Sequence, residues 1–366
     1  MLTKKNKEII LFNPSIEDGG VEKNLFLISN YLSKKFDNLT IITSDKNKNF
    51  SKKINIFTHF FSLSNNAGRK SKYFFCLILL IIKIILCKKK CLVFAFQANV
   101  YAIIVCYLLN VKIITRSNSS STGWSKNILK NYFLKFFLKK ADMVIVNSFD
   151  FKKELDKKFN IKTKVILNPF DFNEIKKKSL IKIKDNFFKK DTVNIITVGR
   201  FTEQKDHETF IKGIFLASKK KNIRAIIMGK GYLKNKLKNL IVENKLSKNI
   251  LILNYNSNPY KYIKNSDIFI LTSVFEGHPN VLIEAQYLKK YIISTNCPTG
   301  PREILNNGKF GDLFKIKDYK TLSKLIIKYK KNKKNLLKVK YAFKNHKIYD
   351  HKKNCEEYFK IIMKII

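Results

Sequence analysis

Two glutamates, Glu276 and Glu284, are spaced so that both carboxylates could contact one ligand. A predicted strand ends at Ser273, Glu276 follows in a loop, and Pro279 suits the start of a helix that carries Glu284. The amides in the first turn of that helix can donate to an anion, and they belong to Asn280, Val281 and Leu282. Carboxylates that accept from hydroxyls, placed around amides that donate to phosphate, suit a sugar diphosphate. The alternative is a solvated helix start with two surface glutamates.

A second charged group, Arg200 and Lys205, lies in a loop that follows the predicted strand at residues 193–198. Two fixed cations at such a place could neutralise a diphosphate leaving group without a metal ion. The sequence contains no Asp-X-Asp triplet, which supports a metal-independent site. The alternative for this segment is an ordinary surface loop.

Glycine is rare, with 12 in 366 residues, so its positions are informative. A glycine lets the backbone approach a ligand closely, although any one glycine can merely close a tight turn. We expect six glycines to contact a nucleotide diphosphate sugar, and these are Gly19, Gly20, Gly199, Gly229, Gly231 and Gly277.

Strands and helices alternate through both halves of the chain, which predicts parallel sheets with helices on both faces. The predicted strands of the first half are residues 8–12, 39–43, 54–60, 91–96, 112–115 and 143–146. Those of the second half are residues 193–198, 225–228, 250–254, 268–272 and 291–294. Ligands of doubly wound domains bind beyond the carboxyl ends of the strands, where the loops above lie. The predicted fold class is α/β, with two Rossmann-like doubly wound domains that face a cleft.

The motifs resemble those of the family 4 glycosyltransferases, a retaining group with the GT-B fold, and of the bacterial surface-polysaccharide branch in particular. The resemblance is specific over residues 194–313, and it depends on the paired glutamates and on Asn296-Cys-Pro-Thr-Gly-Pro-Arg-Glu-Ile-Leu305. It implies that Glu276 contacts hydroxyls of the donor sugar and that Glu284 contacts the ribose of the nucleotide.

The same resemblance implies further roles for the loops. Arg200 and Lys205 would neutralise the departing diphosphate, so the expected catalytic residues are these two and Glu276. The loop at residues 229–231 would hold the nucleotide base, and the loop at residues 19–20 would approach the diphosphate and the acceptor.

One segment departs from the family. Many relatives carry a histidine after the strand that corresponds to residues 112–115, whereas this chain has Arg116 and Asn118 nearby. We expect these two side chains to face the cleft as possible acceptor contacts. The family also implies a front-face displacement in which the departing phosphate takes the acceptor proton, so that retention needs less of a protein base.

The break at Asn168-Pro169 and the lysine-rich stretch at residues 176–190, which we take as the linker, suggest the domain organisation. Residues 1–170 are expected to form an N-terminal, acceptor-side Rossmann-like domain. Residues 171–345 are expected to form the domain that binds the nucleotide sugar. The resemblance implies that residues 346–366 form a helix that packs back on the N-terminal domain.

The charge is extreme, because 73 Lys and Arg against 27 Asp and Glu give a formal net charge of +46. Such a surface attracts anions, although a codon bias toward lysine would produce the same excess. The apolar segment at residues 73–87 is too short to span a bilayer. It is either a buried or half-buried helix or a membrane-facing helix that places the lysines of residues 88–90 at the headgroups. Residues 1–8 do not resemble a signal peptide, and six scattered cysteines suit a cytosolic protein.

Together these observations predict a retaining, metal-independent glycosyltransferase. It would move a hexose or N-acetylhexosamine from a nucleotide diphosphate sugar, UDP-linked by preference, to a glycan on a polyprenyl-diphosphate or lipid A carrier, as in O-antigen, lipopolysaccharide or capsule biosynthesis. We expect no cofactor and no nucleic-acid partner, and a cytoplasmic enzyme held peripherally at the anionic inner leaflet. The alternatives are a UDP-N-acetylglucosamine 2-epimerase of the same architecture and a basic, non-catalytic nucleic-acid-binding protein.

Overall fold

The computed structural model describes residues 7–16, 19–45, 50–58, 68–118, 127–183 and 187–366. The chain divides into two compact units, each built on one parallel sheet. The N-terminal unit consists of Met1–Phe170 together with Tyr349–Ile366, and the C-terminal unit consists of Asp171–Ile348.

The strands of the N-terminal unit are β1 (Glu8–Phe12), β2 (Leu39–Ile42), β3 (Asn55–Phe57), β4 (Cys91–Ala95), β5 (Lys112–Ser117), β6 (Met143–Val146) and β7 (Lys164–Val165). They pair in parallel in the order β3-β2-β1-β4-β5-β6-β7. The helices that connect them are α1 (Gly20–Leu32), α2 (Arg69–Leu86), α3 (Asn99–Leu108), α4 (Ile128–Leu138) and α5 (Phe149–Phe159). Helices α2 to α5 pack on one face of the sheet and α1 on the other.

The strands of the C-terminal unit are β8 (Val193–Val198), β9 (Ile223–Gly229), β10 (Ile250–Asn254), β11 (Ile268–Leu271), β12 (Tyr291–Thr295) and β13 (Asp312–Phe314). They pair in parallel in the order β10-β9-β8-β11-β12-β13. The helices are α6 (Phe172–Ser179), α7 (His207–Ser218), α8 (Lys234–Glu243), α9 (Tyr260–Asn265), α10 (Asn280–Tyr287), α11 (Pro301–Ile304), α12 (Tyr319–Lys328) and α13 (Lys333–Asn345).

The predicted alternation is confirmed, with differences at short elements. Strands β7 and β13 were not predicted, because two or three residues are too few for an apolar period. The predicted strand at residues 54–60 is shorter in the structure, and residues 59–60 lie outside the described part. Helix α6 occupies the start of the segment taken as a linker, because the Asp171 carboxylate caps it by accepting from the amides of Asn173 and Glu174, both at 3.0 Å.

The strand order places the chemically interesting loops at one edge of each sheet. The order reverses between β1 and β4 in the N-terminal unit and between β8 and β11 in the C-terminal unit. Ligands of open parallel sheets bind outside the carboxyl ends of strands at such a reversal. The loops that carry Arg200 and Glu276 follow β8 and β11, and the loop with Gly19 and Gly20 follows β1.

The last helix, α14 (His351–Ile365), belongs to the N-terminal unit, as expected. It packs against α1 and completes the second face of the N-terminal sheet through Cys355, Tyr358 and Ile362. The chain is held where it re-enters this unit, because the Phe170 amide donates to the Tyr349 carbonyl at 2.9 Å.

The structure corrects the expectation for Arg116. Its side chain is 0% exposed. Its guanidinium donates from Nε to the Tyr358 hydroxyl at 2.8 Å, from Nη2 to Asn168 Oδ1 at 2.5 Å, and from Nη1 to Asn118 Oδ1. Arg116 therefore ties β5 to α14 inside the N-terminal unit and has no exposed surface, and its internal hydrogen bonds satisfy the donors that a buried guanidinium needs paired. Asn118 is half-buried and also donates to the Phe96 carbonyl at 3.3 Å.

Helix α2 is half-buried, which agrees with one of the two alternatives for this segment. Its inward side chains, including Cys76, Leu80 and Ile84, join the core, whereas its other side exposes apolar residues to solvent. Among the residues that the structure describes, no helix combines the length and the apolar character that crossing a membrane requires.

We expect Arg116→Met to lower the free energy of unfolding by about 3 kcal/mol, because the buried Tyr358 hydroxyl and Asn168 amide lose a charged partner. The control is Lys220→Met at an exposed lysine, which should change stability by less than about 0.5 kcal/mol. Urea unfolding followed by circular dichroism measures both. Equal stability of the two variants would contradict a structural role for Arg116.

Candidate functional site

The loops that follow β8 and β11 lie against each other in the C-terminal unit. The Val274 amide donates to the Gln204 carbonyl at 2.8 Å, and the Thr272 hydroxyl donates to the Lys205 carbonyl at 2.9 Å. These ties use backbone groups of the first loop, so they set the separation of the loops whatever ligand is bound. The side chains of both loops therefore share one edge of the sheet.

Lys205 and Glu276 form an ion pair across these loops. The Lys205 ammonium contacts Glu276 Oε1, and the two side chains are 14% and 8% exposed. The Ser273 hydroxyl donates to the same carboxylate oxygen at 2.6 Å, and the Thr299 hydroxyl donates to the Glu276 backbone carbonyl at 2.6 Å. The carboxylate is thus oriented from its own loop, and the backbone of Glu276 is tied to the loop after β12.

Arg200 reaches the same place through a neighbour. Its Nη2 donates to Gln204 Oε1 at 3.2 Å, and Gln204 Nε2 donates to the Phe275 carbonyl at 3.0 Å. The Arg200 side chain is exposed. The structure therefore brings the loops of Arg200, Lys205 and Glu276 together, with the Lys205 side chain mostly buried and the Arg200 side chain facing solvent.

Glu284 lies on α10, one turn after the helix begins, and is 1% exposed. The Tyr260 hydroxyl on α9 donates to its Oε1 at 3.2 Å. The Leu282 amide donates to the Pro279 carbonyl at 3.1 Å, so this one of the three expected anion donors has a partner within the helix start. The expectation for an amide cradle then depends on Asn280 and Val281.

The glycines of the β8 and β9 loops allow backbone to meet backbone. A Cβ on Gly229 would lie 1.9 Å from the Gly199 carbonyl oxygen, and one on Gly231 would lie 2.4 Å from the Phe201 carbonyl oxygen. The Phe201 amide donates to the Lys230 carbonyl at 2.8 Å. Close packing within the protein therefore requires glycine at 229 and 231 irrespective of a ligand. A Cβ on Gly199 would contact the Lys205 side chain at 3.3 Å.

Gly277 is buried beside a second glycine that the sequence-based site omitted. Gly300 has φ of +80°, a left-handed conformation that glycine adopts easily. A Cβ there would lie 2.5 Å from the Gly277 carbonyl oxygen. The loop after β12 thus packs on the loop that carries Glu276.

In the N-terminal unit, Gly19 and Gly20 open α1 as expected. The Gly19 amide donates to Glu22 Oε2 at 2.9 Å. Gln97, after β4, donates to the Ser15 carbonyl at 2.8 Å and to Glu22 Oε1 at 3.4 Å. The loop after β1 is therefore held by polar side chains at the carboxyl edge of its own sheet.

His207, directly after the Lys205 loop, is buried and neutral at pH 7. Burial, and secondarily the positive charge of Lys205, lowers the pKa of His207 from 6.5 to about 4. Its Nε2 lies 3.2 Å from the Arg200 carbonyl oxygen, so the ring contacts the backbone of Arg200.

Sequence reasoning missed the side chains that hold the site: Gln204, Tyr260 and Thr299 had no assigned role. Each bonds a residue at least 23 positions away in the chain, so no local pattern identifies them. Within the described residues, no group of three or more His, Cys, Asp or Glu side chains is arranged to hold a metal ion.

We expect Gly229→Ala to destabilise the protein by about 2 kcal/mol or more, because the new methyl group meets a backbone carbonyl that cannot move aside. The control is Gly68→Ala, whose Cβ would have no atom within 4 Å and should cost less than about 1 kcal/mol. Thermal unfolding of both variants tests this. Equal melting temperatures would refute the backbone contact.

Acidification should destabilise the protein through His207. The unfolded chain binds this proton near pH 6.5 and the folded chain only near pH 4. The contribution of the neutral ring is therefore complete above pH 6.5 and decreases as the pH falls toward 4, by on the order of 3 kcal/mol. His207→Gln should flatten the dependence of stability on pH across this window relative to wild type. Parallel curves for the two proteins would rule out the proposed titration.

Comparisons with known proteins identify the family. Residues 178–346 match the family model described as Glycosyl transferases group 1. The N-acetylgalactosamine-N,N'-diacetylbacillosaminyl-diphospho-undecaprenol 4-alpha-N-acetylgalactosaminyltransferase of Campylobacter jejuni is 30% identical over 325 residues, which cover 84% of this chain and 85% of that relative. An uncharacterised glycosyltransferase of Methanocaldococcus jannaschii is 40% identical over 189 residues. That match spans only 50% of this chain and 46% of the archaeal relative.

The fold is shared with solved structures along nearly the whole chain. The crystal structure of Anabaena HepE in complex with UDP and glucose has a TM-score of 0.77 and 17% sequence identity, and the likeness covers 98% of this chain and 99% of that one. It shows the GT-B fold, with two Rossmann-like parallel sheets. Since the Campylobacter relative also aligns over most of both chains, the protein belongs to the group 1 glycosyltransferases, the family 4 that its motifs resemble, and it is a glycosyltransferase.

Proposed function

We propose that this glycosyltransferase transfers a hexose or N-acetylhexosamine, with retention, from a nucleotide diphosphate sugar to a lipid-carrier-linked glycan. The observation that supports it most directly is the buried Lys205–Glu276 pair with Arg200 close by, at the carboxyl ends of β8 and β11. Such a pair supplies both a cation for phosphate and a carboxylate for sugar hydroxyls. Residues 171–345 form the donor domain in this proposal, and residues 1–170, with the helix at 346–366, form the acceptor side.

In the proposed complex, Arg200 and Lys205 bind the diphosphate. The Lys205 ammonium leaves the Glu276 carboxylate and binds a phosphate oxygen of the leaving group instead. This ammonium is already mostly shielded from water in the ion pair. Fixed cations that are in place before the reaction stabilise developing negative charge at little reorganisation cost. The proposed site therefore needs no metal ion.

Once Lys205 turns to phosphate, Glu276 accepts hydrogen bonds from hydroxyls of the donor sugar. The Ser273 hydroxyl, 2.6 Å from Glu276 Oε1, keeps the carboxylate oriented while its other partner changes. Glu284 accepts hydrogen bonds from the ribose hydroxyls, while the Tyr260 hydroxyl continues to donate to Glu284 Oε1. The amides of Asn280 and Val281, with the backbone of Gly199 and Gly277, complete the phosphate side.

The proposed reaction breaks the bond between the anomeric carbon and the phosphate oxygen and forms a bond from that carbon to the acceptor oxygen on the same face. The acceptor proton passes to the departing phosphate oxygen. In this step Arg200 and Lys205 supply the main electrostatic stabilisation, and no histidine takes or gives a proton. It agrees with the buried, neutral state of His207.

The names of related proteins support the choice of substrates. The Anabaena protein is crystallised with UDP and glucose, and the Campylobacter protein is named for a diphospho-undecaprenol acceptor and an N-acetylgalactosaminyl donor group. We therefore propose a UDP-linked donor, a lipid-linked acceptor of surface polysaccharide biosynthesis, and a cytoplasmic enzyme at the inner face of the membrane.

Glu276→Gln should reduce transfer by at least about 100-fold while the fold is kept, because the neutral amide loses the negative charge and one of the two acceptor oxygens of the carboxylate. The matched control is Glu243→Gln, which makes the same change at an exposed position of α8 and should keep wild-type activity. A radiolabelled sugar-transfer assay to lipid-linked acceptor, with circular dichroism as the folding check, measures the difference. Full activity of Glu276→Gln would refute the assignment.

The donor is tested separately by thermal shift with a panel of nucleotide sugars. A UDP-linked sugar should raise the melting temperature of the wild type more than GDP-linked or ADP-linked sugars do. Release of sugar from the donor that does not depend on acceptor would instead favour a hydrolase or an epimerase.

A further inference from the structure

Helix α2 is apolar on both sides, because its inward side joins the core and its outward side exposes further apolar residues. Its two inward lysines are partnered at the sheet, Lys72 with Asp45 and Lys83 with Glu8, each at 2.7 Å. Its outward side is apolar at successive turns, at Phe74, Ile78, Ile81 and Ile85. A surface helix of a globular domain normally points its charges outward. The outward side of α2 therefore suits an apolar environment.

The two neighbouring helices continue this surface. Helix α3 packs between α2 and α4 on the same face of the sheet. It exposes Tyr107 and Leu108, and α4 exposes Leu129, Tyr132 and Phe133. We call the outward apolar side chains of α2, α3 and α4 the apolar face. Contiguous exposed apolar surface of this kind marks an interaction site more often than chance exposure does.

The charge around the apolar face has one sign. The sequence contains no Asp or Glu between Asp45 and Asp142, a segment that includes all three helices. Exposed lysines follow α2 at residues 88–90 and α4 at residues 139–140. The Lys140 ammonium lies 4.8 Å from the centre of the Tyr107 ring and 5.1 Å from that of Phe136. Cations therefore border the apolar face directly.

We propose that the apolar face is a membrane-docking surface that inserts into the headgroup region of an anionic bilayer. Apolar side chains enter the boundary of the acyl chains, and the bordering lysines contact acidic headgroups. This inference rests on the proposed function in one respect, since a lipid-linked acceptor is what makes docking useful. It goes further by assigning the contact to three helices and to no spanning segment.

Charge favours a bilayer over a second copy of the chain as the occupant. Two copies meeting through this face would bring lysine against lysine, with no acidic residue in the segment to offset the repulsion. An anionic lipid surface offers opposite charge to the rim and apolar contact to the centre. The same complementarity explains why the face stays free of acidic side chains.

The test uses the full chain and vesicles in flotation assays. The docking variant is Phe74→Gln with Ile85→Gln and Leu129→Gln, at positions 62%, 58% and 79% exposed. The matched control is Ile181→Gln with Val242→Gln and Leu336→Gln, at positions 53%, 65% and 58% exposed in the C-terminal unit. All six side chains are solvent-exposed, so the folds should persist, and circular dichroism checks this.

We expect the wild type and the control variant to bind vesicles of equimolar phosphatidylglycerol and phosphatidylcholine equally. The docking variant should lose about tenfold or more in partition coefficient, at low and at high salt. A second pair of variants separates charge from apolar contact. Lys88→Gln with Lys89→Gln and Lys90→Gln should weaken binding at low salt more than Lys220→Gln with Lys238→Gln and Lys248→Gln does.

Two results would overturn the proposal. One is a docking variant that partitions like the wild type, which would leave only diffuse attraction by net charge. The other is a wild-type dimer in sedimentation that the docking variant alone dissociates, without any effect on vesicles, because the occupant would then be a second copy.

The outcome is independent of whether the proposed reaction is correct. The docking variant should keep the thermal shift with UDP and transfer to a short, water-soluble acceptor, since none of its three substituted residues belongs to the proposed donor site. Loss of vesicle binding with donor binding retained supports docking alone. Absence of donor binding in the wild type, with vesicle binding intact, would contradict the proposed function and leave docking standing.

Discussion

The ion pair between Lys205 and Glu276 is the interaction on which the candidate site depends. The two residues are 71 positions apart and both are largely buried. A buried ammonium or carboxylate is tolerated when its opposite charge is in contact, since each alone would carry a large desolvation penalty. The loops after β8 and β11 must therefore lie together for either charge to be stable. The hydrogen bonds from the Thr272 hydroxyl and the Val274 amide to backbone carbonyls of the Lys205 loop secure this arrangement.

That constraint extends to the glycines around the site. The loops after β8 and β9 approach so closely that a Cβ at Gly229 would overlap the Gly199 carbonyl, and the loop after β12 meets Gly277 through Gly300. Glycines thus let the loops around the two charged residues pack closely, backbone against backbone. Gly229 and Gly231, which the sequence predicts as ligand contacts, allow their loop to pack against the backbone of the loop after β8.

The N-terminal unit also contains buried charged side chains at its sheet, and each of them has polar partners. Arg116 is fully buried and satisfied by Tyr358, Asn168 and Asn118, so the returning helix α14 supplies a partner that the first 170 residues lack. Helix α2 turns Lys72 inward to Asp45 and Lys83 inward to Glu8. The outward side of that helix is left apolar, which is the opposite of what the strongly basic composition suggests.

Local pattern was sufficient for much of this protein. The alternation of apolar runs with helical segments determined two parallel sheets, because strands covered on both faces must be apolar throughout. Likewise, strand ends followed by glycine and charged residues determined where Glu276, Arg200 and Lys205 lie. Tertiary structure alone decided which partner each charge has: Glu276 with Lys205, Glu284 with Tyr260, and Arg116 with a tyrosine 242 positions away. These partners lie on distant segments that only folding brings together, so the local spacing of residues in the sequence does not predict them.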